Sequence, residues 1–577
     1  MTTQLAGHLL VECLVAQGVT HAFGVPGESF LAVLDGFHAY KDGIEFVINR
    51  QEGGAAFMAE AAGKLTSRPG VCFVTRGPGA TNASIGVHTA FQDSTPMVLF
   101  VGDVASDTRD REAFQEVNYL SFFGPSTGGM AKRVERIDDA KRIPEYVARA
   151  FATAMNGRPG PVVIVLPEDM LTQMVDAAPL PKVMPIEAWI APESANSLRE
   201  MLLKAERPLV IAGGSGWTVQ SAQALQRFAE NWSLPVGNAF RFQDTFDNFH
   251  PLYAGDVGIG INPKLASRIK QSDLIIAIGP RLGEMTTGGY SLLQVPKSAQ
   301  KLVHIHASAE ELGRVYQADL VIHASMSAAA HSLEVLSAPP TLPWQAWAKE
   351  ANNDYLANID PANGGLKLPG TIDMPAIIAT LQKHLPADAV LTNGAGNFAS
   401  WLHRFFQYHG LAKGYKTQLA PTNGAMGYGV PAGIAANILT KNAATGQRVA
   451  FTIAGDGDFM MNGQELATAA QVGAKSIVLL LNNGMFGTIR MHQEREYPQN
   501  VSGTQLANPD FAGLARAYGY EGVRITHTHE FEAELLAALA RPQGTLIEVT
   551  LDPEVISTRG SLAQITQNAL ASAAKSA

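Results

Sequence analysis

The sequence predicts an α/β protein made of three doubly wound parallel-sheet domains, and two observations carry this prediction. Short apolar runs alternate with helix-like stretches along the whole chain, which is typical of parallel strands joined by crossover helices. The chain of 577 residues is also too long for one core, and Pro-rich irregular stretches interrupt it at 177–193 and 337–344. We therefore predict an N-terminal domain at 1–180, a central domain at 190–340 and a C-terminal domain at 345–577.

Each predicted domain has its own set of strand-like runs. These runs lie at 46–49, 71–75, 96–102 and 161–167 in the N-terminal domain, at 208–216, 273–284 and 301–308 in the central domain, and at 389–397, 449–458, 476–484 and 544–552 in the C-terminal domain. The tail from Glu554 to Ala577 favours a helix that packs as a closing segment.

Composition excludes several classes of protein. A net charge of −9 and a pI near 5.9 provide no basic field for nucleic acid or an anionic membrane. No run reaches about 18 uncharged apolar residues, so we expect no membrane span. The N-terminus lacks the features of a signal peptide and predicts an amphipathic helix, which favours a cytoplasmic protein. The two cysteines, Cys13 and Cys72, have apolar neighbours and are predicted to be buried reduced thiols.

Polar residues follow two predicted strands of the C-terminal domain. Asp456 lies in a Gly-Asp-Gly turn after one strand, and Asn483 follows the next. The carboxyl ends of parallel strands face one crevice, so we expect these oxygens to be close enough for a magnesium site. Amides of the helix that begins near Asp458 are candidates for binding a diphosphate, and this helix is predicted to run to about Gly473. The alternative is that both segments are ordinary tight turns.

A carboxylate follows the first predicted strand of the N-terminal domain. Glu52 comes directly after that strand, in the first turn of a helix rich in small residues. It can interact with the helix N-terminus, or it can hydrogen-bond a cofactor ring in a dry site. The sequence alone leaves both roles open.

Several motifs occur in an order that resembles the acetolactate synthase-like family of thiamine-diphosphate enzymes. Besides the Gly-Asp-Gly turn, with 24 residues between Gly457 and Asn482, they are GVPG (24–27), RQEGGAAFMAEA (50–61), GVCFVTRGPGATN (70–82), AFQEV (113–117) and GAMG (424–427). The resemblance covers nearly the whole chain. It implies a pyrimidine-binding N-terminal domain, a Rossmann-like central domain and a C-terminal domain that binds diphosphate and Mg²⁺.

The resemblance also implies roles for individual residues. Glu52 would activate the cofactor, while the side chains of Asp456 and Asn483 and the carbonyl of Met485 would bind Mg²⁺. The residues implied to contact thiamine diphosphate are Pro26, Gly27, Pro78, Asn82, Gly396, Asn397, Gly424, Met426, Gly457 and Asp458, the last two through backbone groups. Met426 would hold the cofactor in a bent conformation, and core filling is the alternative. In this family two chains share each active site, which implies a homodimer or homotetramer.

The chain departs from the acetolactate synthase pattern where the acceptor would bind. Met285 stands where the family has an arginine that holds the acceptor carboxylate, and Ser126 to Gly129 replace a stretch with a typical lysine. His492 replaces a tryptophan. Gln115 and His492 are therefore our candidates for substrate contacts, with an ordinary surface or core histidine as the alternative for His492.

The central domain departs from the flavin-binding relatives. The stretches at 304–308 and 323–325, HIHAS and HAS, lack the acids typical of those relatives. This disfavours FAD and leaves an adenine nucleotide or an empty crevice open.

These features favour a carboligase or decarboxylase acting on a 2-oxo acid, with a 2-oxo acid or aldehyde as the small-molecule partner. A 2-hydroxyacyl-CoA lyase or an oxalyl-CoA decarboxylase-like enzyme is an alternative, although we identify no patch for CoA. A pyruvate oxidase-like flavoenzyme is another. Retention of Glu52, Asp456 and Asn483 argues against a non-catalytic relative. The N-terminal domain has no strand-linked GxGxxG, which disfavours a nicotinamide enzyme.

Overall fold

Three six-stranded parallel sheets form the framework of the protein. The computed structural model describes residues 3–125, 129–364, 368–441 and 446–576. All ladders within the three large sheets are parallel, and helices connect their strands. A small antiparallel pair is the fourth sheet. The predicted fold class is confirmed.

The strands lie in chain order at β1 (Gln4–Leu5), β2 (His21–Gly24), β3 (Glu45–Ile48), β4 (Gly70–Val74), β5 (Met97–Asp103), β6 (Arg133–Arg136), β7 (Pro161–Pro167), β8 (Met174–Val175), β9 (Pro208–Ala212), β10 (Val236–Ala239), β11 (Tyr253–Val257), β12 (Leu274–Ile278), β13 (Lys301–His306), β14 (Leu320–His323), β15 (Val390–Asn393), β16 (Gln418–Leu419), β17 (Ala450–Gly455), β18 (Ile477–Asn482), β19 (Glu521–Ile525) and β20 (Thr545–Thr550).

The helices lie at α1 (Ala6–Ala16), α2 (Leu31–Ala39), α3 (Glu52–Thr66), α4 (Gly77–Asp93), α5 (Tyr119–Phe123), α6 (Ile143–Met155), α7 (Glu168–Leu171), α8 (Pro192–Lys204), α9 (Val219–Asn231), α10 (Pro263–Gln271), α11 (Met326–Glu334), α12 (Gln345–Ile359), α13 (Met374–His384), α14 (Ala399–Phe405), α15 (Gly429–Leu439), α16 (Asp456–Asn462), α17 (Leu466–Val472), α18 (Gly487–Glu496), α19 (Phe511–Ala517), α20 (Phe531–Ala540) and α21 (Leu562–Ser576).

The first and third sheets have the same strand order. The first runs β3-β2-β4-β5-β7-β6 and the third runs β16-β15-β17-β18-β20-β19, so both read 2-1-3-4-6-5 when their strands are numbered along the chain. The central sheet runs β11-β10-β9-β12-β13-β14, which reads 3-2-1-4-5-6. The order reverses between β2 and β4, β9 and β12, and β15 and β17. Ligands of open α/β sheets bind beyond the carboxyl ends of the strands at such reversals.

The long apolar runs of the sequence became the central strands. Strands such as β5 and β7 are buried along their whole length, because helices cover both faces of a parallel sheet. The strands missed by the sequence pattern are shorter or more polar, as in β6 and β10. The predicted helix from Asp458 to about Gly473 is wrong as one element, because a 3₁₀ turn at Gly463–Glu465 separates α16 from α17.

The chain forms two compact units. One contains Met1–Ile186, Pro421–Gln447 and Asn462–Ala474, and the other contains the remaining segments. The first unit therefore holds the first sheet together with two segments from late in the sequence, while the second holds the central and third sheets. The domain bounds given above stay a prediction.

Two smaller expectations concern the N-terminal helix and the cysteines. Helix α1 is present as predicted, and both Cys13 and Cys72 are buried free thiols. Burial, together with the Glu12 charge, raises the pKa of Cys13 to about 12. In the ranges that the structure describes, the helices are too short or too polar to cross a membrane.

Candidate active site

The first unit places Glu52 at the beginning of α3. The side chain of Gln51 caps this helix by accepting a hydrogen bond from the Gly54 amide at 3.0 Å. Asn82, on α4, donates its Nδ2 to Glu52 Oε2 at 2.9 Å. Two residues that the sequence motifs assigned separately to cofactor binding are therefore hydrogen-bonded to each other.

The turns near Glu52 are tightly packed. A Cβ at Gly27 would lie 2.4 Å from Thr75 Cβ, so only glycine fits there. The Gly77 amide, which begins α4, donates to the Gln115 carbonyl at 2.9 Å, and Gln115 itself has a left-handed φ of 65°. Gln115 thus fixes the start of α4 through its backbone. Pro26 and Pro78 are exposed.

The second unit places Asp456 at the carboxyl end of β17. This side chain is 3% exposed. Its Oδ1 accepts from the Gly457 amide at 2.9 Å, and its Oδ2 accepts from the Gly484 amide and from Asn508 Nδ2, both at 2.8 Å. The aspartate is therefore held by loops that follow β17 and β18.

Asn508 was missed by the sequence reasoning. Its Nδ2 also donates to Asn482 Oδ1 at 2.9 Å, so it joins the ends of β17 and β18. It lies in an irregular stretch before α19, where an Asn-Pro-Asp sequence was the only signal. Asn483 is half-buried beside Gly487, and Met485 forms an isolated bridge with Gln505.

The donor set at Asp456 fits a magnesium ion better than a softer metal. Burial raises the pKa of Asp456, while the hydrogen bond from Asn508 and those from backbone amides lower it, and the net shift is upward. A cation bound there would reverse this penalty. Within the described ranges, His, Cys, Asp and Glu form no group of three or more that could hold a metal. One carboxylate with amide and carbonyl oxygens suits Mg²⁺, which takes few protein ligands together with phosphate oxygens and water.

The loop after β15 lies beside Asp458 at the reversal of strand order in the third sheet. Asp458 Oδ1 accepts from the Ala395 amide at 3.1 Å, and a Cβ at Gly394 would lie 2.0 Å from the same oxygen. A Cβ at Gly457 would lie 2.6 Å from the Phe486 ring. Gly394 therefore allows the two predicted diphosphate loops to approach each other, and Gly457 leaves room for Phe486. The Asp458 side chain orders the loop after β15.

Asn397 closes the same loop. Its amide donates to Thr488 Oγ1 at 2.9 Å, and its Nδ2 donates to the Ile556 carbonyl at 3.0 Å. Gly396, next to it, would place a Cβ 2.7 Å from the Phe398 ring. The backbone of the loop is thus fixed before any phosphate binds.

The turn that contains Met426 belongs to the first unit. Gly424 and Gly427 have left-handed φ values of 68° and 79°, which a side chain would strain. The Ala425 amide donates to Asn423 Oδ1 at 3.2 Å. Met426 is half-buried.

The residues that depart from the acetolactate synthase pattern are spread over both units. Arg281 Nε lies 3.6 Å from Glu311 Oε1, so this arginine is already engaged by a carboxylate. Met285 is half-buried, and His492 is exposed on α18. Ser126, Thr127 and Gly128 lie outside the described residues. The substrate contacts assigned to Gln115 and His492 stay predictions.

Histidines in the two stretches that lack acids hold loops of the central sheet. His304 is buried, and its Nε2 donates to the Pro280 carbonyl at 3.1 Å. His323 Nε2 makes the equivalent contact with the Ala307 carbonyl at 3.1 Å. Both side chains are used to hold loops at the carboxyl ends of the strands.

Comparisons with known protein families match three regions of the chain to the domains of thiamine pyrophosphate enzymes. The chain matches the model described as the N-terminal TPP binding domain of thiamine pyrophosphate enzymes at residues 5–122. It matches the central domain of the same enzymes at residues 195–333 and their C-terminal TPP binding domain at residues 394–549. The chain belongs to the thiamine pyrophosphate enzymes, and it is an enzyme of their transferase or lyase kind.

Curated relatives place the chain in the acetolactate synthase-like part of that family. It is 30% identical to the acetolactate synthase isozyme 2 large subunit of Escherichia coli (strain K12) over 546 residues, which cover 94% of this chain and 95% of the relative. It is 30% identical to the acetolactate synthase large subunit of Parasynechococcus marenigrum (strain WH8102), covering 94% and 86%. A probable acetolactate synthase large subunit of Methanocaldococcus jannaschii is 28% identical, covering 97% and 94%.

Proposed function

We propose that this protein is a Mg²⁺- and thiamine-diphosphate-dependent enzyme that decarboxylates a 2-oxo acid and passes the remaining fragment to a second carbonyl compound or to a proton. The main support is the placement of two carboxylates at the carboxyl ends of strands in two sheets of the same strand order. Glu52 is held by one amide donor, and Asp456 is held by three N–H donors. The environment of Glu52 suits a carboxylate that hydrogen-bonds the cofactor ring, and the environment of Asp456 suits a buried metal ligand.

Each residue would have a distinct task. When bound, thiamine diphosphate supplies an electron sink for cleavage of the bond next to the donor carbonyl. Glu52 would hydrogen-bond the pyrimidine ring through Oε1, because Asn82 holds Oε2. Asp456, Asn483 and the Met485 carbonyl would hold Mg²⁺. Contacts to the cofactor itself would come from Pro26, Gly27, Pro78, Asn82, Gly396, Asn397, Gly424, Met426, Gly457 and Asp458.

The acceptor is proposed to differ from pyruvate and 2-oxobutyrate. Met285 has no charge with which to bind a carboxylate, and the nearby Arg281 is engaged by Glu311. We assign substrate contacts to Gln115 and His492, and we expect an aldehyde or another 2-oxo acid as acceptor.

We also propose that two chains share each active site in a homodimer or homotetramer. Glu52 and Asp456 belong to different compact units of the chain. The family resemblance implies that the glutamate and the metal ligands of one site come from different chains. Size measurement in solution with and without both cofactors tests this assembly.

A decarboxylation screen tests the reaction. The protein is purified, its visible spectrum is recorded for flavin, and CO₂ release is measured across 2-oxo acids with thiamine diphosphate and Mg²⁺, with and without aldehydes. We expect release that requires both cofactors and is lost in Glu52→Gln. The matched control is Glu193→Gln, an exposed glutamate in the first turn of α8. Tight cofactor binding without CO₂ release from any 2-oxo acid would contradict the proposal and favour acyl-CoA cleavage.

A further inference from the structure

A carboxylate that the proposed function does not use is buried in the first unit. Glu465 is the last residue of the 3₁₀ turn Gly463–Glu465, and it is 0% exposed. Burial raises the pKa of Glu465, the hydrogen bonds that it accepts lower it, and the net shift is upward. Burying a carboxylate costs free energy unless hydrogen bonds compensate, so the partners of Glu465 indicate what it does.

One oxygen of Glu465 holds the junction between β3 and α3. Its Oε1 accepts from the Arg50 amide at 3.1 Å and from the Gln51 amide at 3.0 Å. These two residues come directly before Glu52, the first residue of α3. Neither the sheet ladder nor the helix pairs these two amides, and the Glu465 side chain supplies the acceptor for both.

The other oxygen of Glu465 reaches the neighbouring strand through Asn49. Oε2 accepts from Asn49 Nδ2 at 3.0 Å and from Thr468 Oγ1, on α17, at 2.6 Å. Asn49 Oδ1 in turn accepts from the Gly24 amide at 3.1 Å. Gly24 is the last residue of β2 and begins the turn at 24–27, which carries two of the residues assigned to the cofactor. One buried carboxylate therefore holds the ends of β2 and β3.

The first turn of α3 also packs on this carboxylate. A Cβ at Gly54 would lie 2.6 Å from Glu465 Oε1, so the close approach requires a glycine. The Arg50 side chain adds a second attachment, because its Nη2 donates to Gln471 Oε1 on α17 at 2.6 Å. The backbone that precedes Glu52 and the turn that follows it therefore both pack against Glu465 and its segment.

We propose that Glu465 is a positioning residue for Glu52. By holding the backbone of residues 49–51, its carboxylate fixes where α3 begins and thereby the direction in which the Glu52 side chain leaves the helix. The inference rests on the proposed function for the role of Glu52. It involves residues of one chain and one compact unit only, so it holds whichever chain provides the metal ligands of the site. A displacement of about 1 Å near a reaction centre can cost about 100-fold in rate, so a rigid helix start has catalytic value.

Exchanging donors and acceptors between Glu465 and Asn49 tests the proposal. Glu465→Gln keeps the size of the side chain, but each of its two orientations turns the NH₂ group toward an N–H donor of the junction. Asn49→Asp places a second carboxylate against Glu465. In the double variant, the new amide can donate to the new carboxylate, while its carbonyl accepts from the Arg50 and Gln51 amides and the Gly24 amide keeps an acceptor.

The expected result is a loss of kcat in each single variant and recovery in the double variant. We expect each single variant to lower kcat by about tenfold to 100-fold, with a smaller change in KM. The double variant should recover about tenfold or more, because the two side chains are in direct contact. Rates are expressed per bound thiamine diphosphate, so that unfolded protein does not lower them.

Two kinetic results would overturn the proposal. One is a normal kcat in both single variants, and the other is a double variant whose loss equals the product of the two single losses. If Glu465→Gln does not fold, a double variant that folds with a kcat no higher than that of Asn49→Asp would also overturn it.

Hydrogen exchange in the cofactor-free protein tests the attachment separately. Glu465→Gln should speed amide exchange in residues 50–54 by about tenfold or more, and the double variant should slow it again. The matched control is Glu60→Gln, at a 0% exposed glutamate of α3 whose oxygens accept from Thr95 and Tyr428. This control should leave exchange in residues 50–54 within about twofold. An equal acceleration in the control would overturn the proposal, because general loosening of α3 would then explain both variants.

The two measurements distinguish failure of this inference from failure of the proposed function. If the protein binds no thiamine diphosphate, the proposed function fails, and unchanged exchange in Glu465→Gln would independently overturn the attachment. If the protein binds the cofactor and releases CO₂, but Glu465→Gln keeps both its kcat and its slow exchange, the positioning role is overturned while the proposed function stands.

Discussion

The first and third sheets have the same strand order but different chemistry at their strand ends. In the first, Glu52 begins a 15-residue helix and takes one amide donor, Asn82. In the third, Asp456 begins a seven-residue helix and takes three N–H donors in a nearly closed environment. Two sheets of the same strand order thus carry a carboxylate after one of their strands, and the two carboxylates differ in the number of N–H donors that hold them.

In the central sheet, glycines rather than a carboxylate directly follow β9 and β12 at the reversal of strand order. There the loops after β9 and β12 come so close that a Cβ at Gly214 would lie 2.1 Å from the Gly279 carbonyl oxygen. Both glycines have left-handed φ values, 73° and 89°. The Met326 side chain also packs against Gly279, and His304 binds the Pro280 carbonyl, so close backbones and neutral side chains shape this crevice. We therefore assign the reaction to the outer two sheets.

The largest expected effect is a loss of kcat when the carboxylate of the first sheet, Glu52, is replaced. Glu52→Gln keeps the size of the side chain and its bond from Asn82 but removes the charge. We expect kcat to fall by about 10²–10⁴-fold, in the range of a lost acid–base group, with little change in affinity for thiamine diphosphate. Steady-state rates and cofactor titration measure the two quantities separately. A comparable loss of cofactor affinity would show that Glu52 mainly binds rather than activates.

For the carboxylate of the third sheet, Asp456, we expect a loss of cofactor affinity rather than a direct loss of kcat. Asp456→Asn removes the only carboxylate proposed to bind the metal. We expect the affinity for Mg²⁺, and with it the affinity for thiamine diphosphate, to fall by more than about 100-fold, since loss of an outer partner alone costs ten- to 100-fold. Excess Mg²⁺ should restore part of kcat. Calorimetric titration at several Mg²⁺ concentrations measures this, and unchanged affinity would remove Asp456 from the metal site.

A smaller loss of Mg²⁺ affinity is expected when a hydrogen-bond donor to Asp456 is removed. Asn508→Ala removes the donor shared by Asp456 and Asn482 while every proposed metal ligand stays in the sequence. We expect Mg²⁺ affinity to fall by about ten- to 100-fold, with kcat retained at saturating metal. Asn500→Ala, at an exposed asparagine, is the control. A loss of kcat that excess metal does not restore would argue that Asn508 has another task.

The sequence predicted the long apolar strands but missed the shorter or more polar ones, and it also missed contacts made by isolated side chains. Apolar runs and glycine turns located Asp456 and the loop at Gly396, because periodicity and turn chemistry are local properties. Asn508 lies 52 residues from Asp456 and sits in no regular pattern, so only the folded chain brings it there. The same holds for Glu60 and Tyr428, which are 368 residues apart.

The sequence also did not predict that two segments from the last third of the chain, Pro421–Gln447 and Asn462–Ala474, form one compact unit with the first sheet. The predicted boundary at 345 assigned Pro421–Gln447 to the C-terminal domain, and that boundary stays a prediction. In the structure this segment forms one compact unit with the first sheet. Its polar anchors, Thr422 on Asp93 and Tyr428 on Glu60, carry no sequence signal because a threonine or a tyrosine in a loop is ordinary in any protein.

The last expected effect concerns stability rather than activity, at a third carboxylate, which lacks the donors that Asp456 has. Asp256, on β11, is only half-buried as a residue, yet its Oδ1 is out of contact with solvent and has no hydrogen-bond partner. Burial raises the pKa of Asp256 to about 8, although the Arg241 charge lowers it. Buried tyrosines lie near it, namely Tyr253, Tyr355 and Tyr408.

The raised pKa of Asp256 determines how the free energy of unfolding changes with pH. Because the folded pKa of Asp256 lies above the unfolded value, the folded protein keeps a proton that the unfolded chain loses between about pH 4 and about pH 8. The stabilisation is complete below the unfolded pKa and is lost as pH rises through the folded pKa. Over this window Asp256 should lower the free energy of unfolding by about 1.4 kcal/mol per pH unit.

Urea unfolding of Asp256→Asn across this pH range tests the prediction, because asparagine stays neutral. Its free energy of unfolding should fall less steeply with pH than that of the unmodified protein, by about that slope. Asp42→Asn, at an exposed aspartate, should leave the slope unchanged. Parallel pH profiles for Asp256→Asn and the unmodified protein would mean that Asp256 is ionised in the folded state.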